Sequence, residues 1–474
     1  MAAPDPRNHK TPQQIHRSVV ALCADCDTCR PLMDKDCLFF PELYRLWDQE
    51  KESGVPLTEA ELRGLMELCT LCGLCPCPRI PADILEAKSR YIDEAGLPLV
   101  TRLLTDIPRL ARLCSAAPHL VNALQSSKTI GHLLRKVIHV HLDRQFPSFP
   151  EQNFFDWARQ KGLTVRTEGS RTVTYFAGCS AGYLFPQIGR AMVAVLERNG
   201  MTVHVPPQQC CGMPHLLEGD RQTTLERTTF NIGHLQEALQ AGDDLVTSCP
   251  SCGYYLKILL KERAYYSDAY QKSVNAGEDE LKVPRGKKLW VLKKSMYREI
   301  LKDDGYFSSL DPMARIGVAE HLFDAGEYLA RLHVEGRFDA RFTALPERMV
   351  YFAPCHQREQ KMGRPYLDLL ALIPGITVEP VGGDIDCCGM GGNFGFKAEF
   401  HEKSLFVGQP LMAKIREKSP QAIITDCMSC RLQFNHELPY PVFHPLEVLA
   451  RAYEVEGANL AGRENCLKEM MSHE

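Results

Sequence analysis

The chain has no excess of basic residues, no long apolar run and no phosphate-binding glycine fingerprint. Each absence removes a class of function. Lys and Arg number 55 against 59 Asp and Glu, a formal net charge of −4, so the footprint of a nucleic-acid binder is missing and no nucleic-acid partner is expected. No uninterrupted apolar stretch reaches the roughly 20 residues that cross a bilayer as a helix. The opening residues Met1-Ala-Ala-Pro-Asp-Pro-Arg-Asn-His-Lys10 are polar and lack the apolar core of a secretory signal. A cytoplasmic location is therefore expected, where thiols stay reduced. No Gly-x-Gly-x-x-Gly follows a strand-like segment. The nearest approach, Gly389-Met-Gly-Gly-Asn-Phe-Gly395, has Phe394 in the third glycine's place. It reads as the lining of a cysteine loop, not as a flavin or nicotinamide cradle.

What is abundant is cysteine, 20 in 474 residues. The rest of the composition, 45% hydrophobic and 24% charged, is that of an ordinary soluble protein with room for two to four domains. In a reducing compartment these thiols point to metal before disulfides or reactive cysteines. Ten of them form two copies of one signature: Cys179, Cys210, Cys211, Cys249 and Cys252, then Cys355, Cys387, Cys388, Cys427 and Cys430. Subtracting partners gives offsets of 176, 177, 177, 178 and 178, so the copies hold register. Five thiols are one more than a cubane iron–sulfur cluster or a tetrahedral zinc ion needs. Adjacent Cys210 and Cys211 do not readily aim both sulfurs at one metal, because successive side chains diverge. They suit a cluster with separated irons bridged by cysteine, or one ligand plus a free thiol. An ordinary cubane or structural zinc with the fifth cysteine unused is the plainer alternative. Gly212 and Gly389 follow the pairs, where positive φ or close backbone approach is expected.

A different spacing fills the amino-terminal region. Cys23-Ala-Asp-Cys26-Asp-Thr-Cys29 is followed by Cys37, and Cys69-Thr-Leu-Cys72-Gly-Leu-Cys75 by Cys77. Such triplets wrap three thiolates around one cube, and in two-cluster ferredoxins the fourth ligand comes from the other motif. That gives Cys23, Cys26, Cys29 and Cys77 to one cluster, and Cys69, Cys72, Cys75 and Cys37 to the other. The gaps before Cys37 and Cys77 depart from the three-residue bacterial rule. Residues 40–68 show helical periodicity, through Leu43, Leu46, Trp47, Leu62, Leu65 and Met66. The module resembles the helical two-cluster ferredoxin of succinate dehydrogenase iron–sulfur subunits.

Between these regions, Leu99, Leu103, Leu104, Ile107, Leu110 and Leu113 alternate with Arg102, Arg109 and Arg112, and Pro108 predicts a kink or break. Ile130 to Leu142, with Arg135, Lys136, His139 and His141, reads as a second amphipathic helix. These helices either pack on neighbouring domains or lay a basic face on a membrane or a membrane-bound partner. Pro147-Ser-Phe-Pro150 marks a boundary. Strands are then expected at 172–176, 202–205 and 244–248, with helices at 185–199 and 221–241. The second copy repeats this with strands at 350–353, 376–380 and 422–425 and helices at 365–373 and 398–418. Every cysteine loop would sit at a strand's carboxyl end, where open α/β sheets place ligands. Residues 256–315 interrupt the repeat and read as a solvated helical insertion, with a partner-docking surface as the alternative.

The ten cysteines, with Phe176-Ala-Gly-Cys179, Cys210-Cys-Gly-Met-Pro214, Ser248-Cys-Pro-Ser-Cys-Gly253, Ala353-Pro-Cys-His356 and Cys387-Cys-Gly-Met-Gly-Gly392, resemble the paired CCG domains of a known iron–sulfur family. Its members include heterodisulfide reductase and the iron–sulfur subunits of glycolate oxidase and of anaerobic glycerol-3-phosphate dehydrogenase. The resemblance implies an α+β and α/β architecture: a helical two-cluster ferredoxin module (1–95), a helical connector (96–170), two tandem α/β CCG domains (171–345 and 346–455) and a tail (456–474). It implies two [4Fe-4S] cubanes and one or two further [4Fe-4S] clusters, noncubane where the heterodisulfide reductase pattern applies. The function implied is that of an electron-transfer subunit linking a flavoprotein dehydrogenase subunit to a quinone or membrane partner, with the protein cytoplasmic and peripheral on the inner membrane face. The alternative is a catalytic thiol–disulfide reductase. No catalytic residue is assigned. His215 and His356 are proton-donor candidates near clusters, each weighed against a structural role. Cys114 and Cys466 carry no motif and are expected to have no metal role.

Overall fold

The computed structural model describes residues 11–34, 36–144, 146–167, 171–286, 288–297 and 300–454. Ten strands lie among them: β1 (Thr172–Phe176), β2 (Thr202–His204), β3 (Asp244–Thr247), β4 (Glu280–Arg285), β5 (Lys288–Lys293), β6 (Leu322–Asp324), β7 (Arg348–Tyr351), β8 (Thr377–Pro380), β9 (Ala422–Ile424) and β10 (Val442–Phe443). Two four-stranded parallel sheets result, ordered β2-β1-β3-β6 and β8-β7-β9-β10. Their registers coincide once the repeat offset is applied: Val173 faces Asp244 as Met349 faces Ala422, and Thr172 faces Thr202 as Arg348 faces Thr377. The sequence repeat is therefore a structural repeat.

β1 is buried along its whole length, as helix-covered parallel strands are. Helices Pro186–Arg198 and Arg221–Gln240 make the crossovers of the first sheet, and Pro365–Leu370, His401–Lys418 and Met428–Glu437 those of the second. One apolar core runs through both repeats, joining Tyr175, Val246 and Tyr328 to Tyr351, Ile424 and Phe443. The fourth strands, β6 and β10, are too short to have stood out in the sequence.

The amino-terminal region is helical: Pro12–Cys26, Phe39–Ser53, Glu59–Glu67 and Arg79–Ala95. Thr11 with Gln14 and Thr58 with Glu61 form capping boxes that fix two of the starts. The periodic residues Leu43, Leu46, Leu62, Leu65 and Met66 are buried together with Phe394 and Phe400 from the second repeat.

The connector breaks next to Pro108, as expected, and departs from expectation in its second helix. The first amphipathic segment breaks at Asp106, whose carboxylate caps the Arg109 N–H, so Pro108 sits in the first turn of a new helix, Ile107–Cys114, where its missing N–H costs nothing. The second helix spans only Ile130–Val137. The chain then turns through His139 at φ +50° and bridges to Lys397. The helical insertion is also corrected: at its middle β4 and β5 form an antiparallel hairpin, turned at Gly286 with φ +63°. Lys288-Leu-Trp-Val-Leu-Lys293 is rich in the residues that favour strands. Among the described residues no helix is long and apolar enough to cross a membrane.

Candidate metal centres

In each repeat the three parallel strands deliver cysteines from their carboxyl ends. Cys179 follows β1, Cys210 and Cys211 follow β2, and Cys249 follows β3, with Cys252 one helical turn on. The structure brings all five together. Cys210 Sγ lies 3.6 Å from Cys179 Sγ, and Cys210, Cys211, Cys252 and Cys249 are linked in turn through their thiols. The hydrogen bond with Cys210 and then burial hold the Cys179 thiol well above the ordinary range, while the hydrogen bonds shared with Cys179 and Cys211 draw Cys210 well below it.

Cys355, Cys387, Cys388, Cys427 and Cys430 converge likewise after β7, β8 and β9, with Cys430 Sγ 3.2 Å from Cys388 Sγ. Both separations far exceed the ~2.05 Å of a disulfide. Five clustered, largely buried sulfurs are thiolates together only if a cation sits among them. The donor set thus fits an iron–sulfur cluster or a zinc ion. The glycines behave as required. At Gly389, φ is +84° and a Cβ would meet the Ser404 carbonyl oxygen at 2.0 Å; at Gly212, φ is +109° and a Cβ would meet the Tyr255 hydroxyl at 2.8 Å.

The amino-terminal thiols also fall into two groups. Burial, then Cys29, Cys77 and Cys26, push the Cys23 thiol up to about 12. Burial raises Cys37 to about 12 as well, with Cys72 and Cys69 adding to it. Cys75 is raised by burial and then by Cys69, Cys72, Cys37 and Cys29. Cys77 thus sits with the first triplet and Cys37 with the second. Cys114 stands apart, its thiol raised by burial alone. Cys466 lies outside the described residues.

The groups adjoin one another in a row. Cys29 acts on Cys75, Cys72 is the first of the charges acting on Cys355, and Cys72, Cys75 and Cys355 line one cavity. His356 joins three of the cysteine segments. Its Nε2 is 3.2 Å from the Leu71 carbonyl oxygen, its Nδ1 is 2.9 Å from Ser251 Oγ, and its ring stacks on Tyr254 at 4.7 Å. Burial lowers this imidazole to about 4, so it is neutral, and because a carbonyl only accepts, the proton is on Nε2. His215 is instead paired with Asp220, Nδ1 to Oδ2 3.1 Å.

Three residues had no motif to announce them. Asp426, beside Cys427, is buried with neither carboxylate oxygen hydrogen-bonded; burial, then Asp324 and Cys249, hold its carboxyl well above the usual range. His444 donates from Nε2 to the Ser248 carbonyl oxygen at 3.0 Å and accepts the Leu446 N–H at Nδ1. Arg144, 1% exposed, donates to Gly395 O (2.7 Å), Gln433 Oε1 (2.6 Å) and Ser404 Oγ (3.0 Å). A cavity of about 950 Å³ is lined by Cys37, Cys69, Cys72, Cys75, Cys355 and Cys387, and by none of the first repeat's five cysteines.

Comparison with known proteins agrees with this arrangement. One subunit of the anaerobic glycerol-3-phosphate dehydrogenase of Escherichia coli K12 is 25% identical over 372 residues, spanning 78% of this chain and 81% of that protein. One subunit of the fumarate reductase (CoM/CoB) of Methanothermobacter marburgensis is 26% identical over 293 residues, 60% of this chain and 47% of that protein. Lactate utilization protein A of Bacillus pumilus is 24% identical over 285 residues, 58% of this chain and 98% of that protein. Residues 173–257 and 349–435 each match the family model of the cysteine-rich domain CCG, so the chain carries the CCG domain twice, as its ten cysteines had indicated.

Proposed function

We propose that this chain is an iron–sulfur electron-transfer subunit, passing electrons between a flavoprotein dehydrogenase subunit and a quinone or membrane partner. The observation that carries the reading is the continuous row of cysteine sets, from Cys29 beside Cys75 through Cys72 beside Cys355 to the second repeat. Cys23, Cys26, Cys29 and Cys77 would hold one [4Fe-4S] cubane, and Cys37, Cys69, Cys72 and Cys75 another. The ten CCG cysteines would hold one or two more [4Fe-4S] clusters, noncubane where all five sulfurs of a set are engaged. Clusters so bound supply reversible one-electron transfer. The chain's own residues do the positioning: His356 fixes the Cys69–Cys75 loop against both repeats, and the first repeat's thiols are shielded from water by Tyr255 and Phe307.

The names of the relatives, subunits of a dehydrogenase and of a reductase, support a catalytic partner. Two surfaces suit such contacts. Leu289, Trp290 and Val291 are exposed on β5, and a partner subunit would cover them. The connector exposes Leu99, Leu113, Leu120, Leu133 and Val137 beside Arg109, Arg112, Arg135 and Lys136, a combination that suits an anionic membrane face and a peripheral cytoplasmic position.

A thiol–disulfide reductase is the second reading, favoured by the cavity that reaches Cys355 and Cys387. Paired chemistry would want both CCG sets open, and the first has no share in that cavity. An anaerobic EPR redox titration of iron-quantified protein, with and without a small thiol, separates the two. About 16 irons in four clusters, with reduced-cubane signals indifferent to thiol, are expected. A thiol-dependent signal from an oxidised cluster would replace this reading with the reductase, and an iron-free zinc protein would end both.

A further inference from the structure

The connector meets the second repeat at a histidine cluster that has no part in the cysteine sets. The Val140–Lys397 bridge, the His141 N–H to Phe396 O bond of 3.1 Å and the Ala398 N–H to His139 O bond of 3.0 Å lay residues 139–141 beside the start of helix His401–Lys418. There the His141 and His401 rings stack, centroids 3.6 Å apart and 6° from parallel. One ring nitrogen of each and a carboxylate oxygen of Glu402 lie within 4.8 Å of one another. His401 is 2% exposed, and its Nδ1 is buried without a hydrogen-bond partner. A buried polar nitrogen left unpaired is uncommon and asks for an unseen partner.

We propose that His141, His401 and Glu402 bind one zinc ion, at a site separate from the iron–sulfur centres. Two imidazoles and one carboxylate, with a position left over for water, are a donor set that zinc takes. Zinc bonds of about 2.0–2.2 Å place tetrahedral donors about 3.4 Å apart, so the three donors need to close by about an ångström, and because ring lone pairs lie in the ring plane His141 must also turn out of its parallel stack on His401. Glu402 is exposed and His141 partly so, which leaves both free to make that movement while His401 stays fixed. Asp143 Oδ2, 3.7 Å from His141 Nδ1, adds a second carboxylate. The cations pressing on His401 are Arg144, whose guanidinium is engaged by Gly395, Gln433 and Ser404, and His141 itself, which is neutral as a zinc ligand. Two carboxylates against one guanidinium leave a net negative charge for a dication to meet. The ion would staple the connector to the helix whose Ser404 carbonyl bounds the Cys387-Cys388-Gly389 loop.

The test uses the full chain, isolated anaerobically with its iron in place, equilibrated with zinc chloride and then dialysed against metal-free buffer. Metals are counted by mass spectrometry, and the zinc environment is read by K-edge X-ray absorption. We expect about one retained zinc per chain, with a nitrogen and oxygen shell at 2.0–2.2 Å and imidazole outer-shell scattering. His141→Ala and Glu402→Gln should each lose that zinc while the iron count and visible spectrum stay unchanged. Because Glu402 is exposed, its variant decides the matter if His141→Ala loses iron through misfolding. Failure to retain zinc, a sulfur shell near 2.3 Å marking zinc on cysteine, or retention in Glu402→Gln would each overturn the proposal.

Discussion

His356→Ala should loosen the amino-terminal cysteine loop without unfolding the protein. Wild-type His356 donates from Nε2 to Leu71 O and accepts from Ser251 Oγ, bonds of 3.2 and 2.9 Å. Each such bond is worth about 1 kcal/mol net, and a carbonyl left unpaired in the interior adds roughly 1–3 kcal/mol. The stack on Tyr254 contributes about 1 kcal/mol more. Leu71 is held at φ +52°, a conformation that costs a non-glycine residue about 1–2 kcal/mol, so the loop has strain ready to release. About 4–6 kcal/mol of local stability is therefore at stake, and at about 1.4 kcal/mol per decade that is more than a hundredfold in the opening equilibrium. Hydrogen exchange followed by mass spectrometry under anaerobic conditions reads it directly. Peptides covering 69–77 and 249–253 should exchange at least a hundredfold faster in the variant, while the Ile130–Val137 helix keeps its rate. His356→Asn, which keeps one donor, should fall between. Unchanged protection at 69–77 would refute the bridging role, and faster exchange everywhere would show that the histidine holds the core and not the loop.

The two CCG glycines should differ in tolerance. Gly389→Ala drives a Cβ into the backbone oxygen of Ser404 and should cost at least about 3 kcal/mol and the second repeat's iron, whereas Gly212→Ala meets side-chain atoms alone, foremost the Tyr255 hydroxyl, and adds about 1–2 kcal/mol of left-handed strain. Tyr255→Phe should recover part of the Gly212→Ala loss and none of the Gly389→Ala loss, as iron per chain and denaturant midpoints would report. Burial, then Lys88, pushes His16 down to about 3, below its value near 6.5 in an unfolded chain. The unfolded state thus takes up the proton first, and stability is full above pH 6.5 and falls as pH drops towards 3. About 2 kcal/mol should be lost by pH 5, and in His16→Leu that slope should vanish from acid unfolding curves. Finally, Leu113→Glu with Leu133→Glu should abolish co-sedimentation with anionic phospholipid vesicles. Equal binding by the double variant, or none by the wild type, would remove the membrane face from the proposal.

The parts of this fold that were legible in the sequence are those where one local rule acts alone. Thr172-Val-Thr-Tyr-Phe176 and Asp244-Leu-Val-Thr247 are short β-branched and apolar runs with a cysteine two or three residues on, and they became β1 and β3 within a residue. Thiol spacing indicated which cysteines of each triplet and each repeat would meet, because a cluster fixes the distances its ligands span, whereas the crossing of Cys37 and Cys77 followed the two-cluster ferredoxin pattern, since their own gaps depart from the rule. Legibility failed where tertiary contact overrides local pattern. The periodicity of Ile130 to Leu142 continues past Val137, but the backbone N–H of His141 is taken by Phe396 O and the helix stops. The hairpin was masked by the Lys, Arg and Tyr content of its surroundings, which reads as a solvated helix when alternation is not counted. Asp324 and His444 carry no signal at all, because their importance lies in facing another strand end across a buried interface.

That interface is where the repeat ceases to be symmetrical. Through the strand registers, Asp324 at the end of β6 corresponds to His444 after β10, and Ser248 before Cys249 corresponds to Asp426 before Cys427. The two repeats face each other so that each pair meets its counterpart. On one side His444 reaches the Ser248 carbonyl; on the other Asp324 and Asp426 face each other as buried carboxyls, Asp324 pushed up to about 7 mainly by burial. A neutral imidazole bonded to a carbonyl is a satisfied contact. Two buried carboxyls with unpaired oxygens are costly, and a fold selected for stability alone would replace them. The neighbours of the cysteines diverge in the same sense: His356 occupies the place of Ser180, and it is the second repeat's residue that hydrogen-bonds the Leu71 carbonyl. Clusters held by two sites that share a backbone plan but differ in these buried polar neighbours would differ in reduction potential, because hydrogen bonding and charge around the sulfurs set it. The second repeat adjoins the Cys72 loop and the first packs against Leu71 and Cys69, so one amino-terminal loop meets two cysteine sets in different polar surroundings, and sequence duplication has not kept the two sets equal.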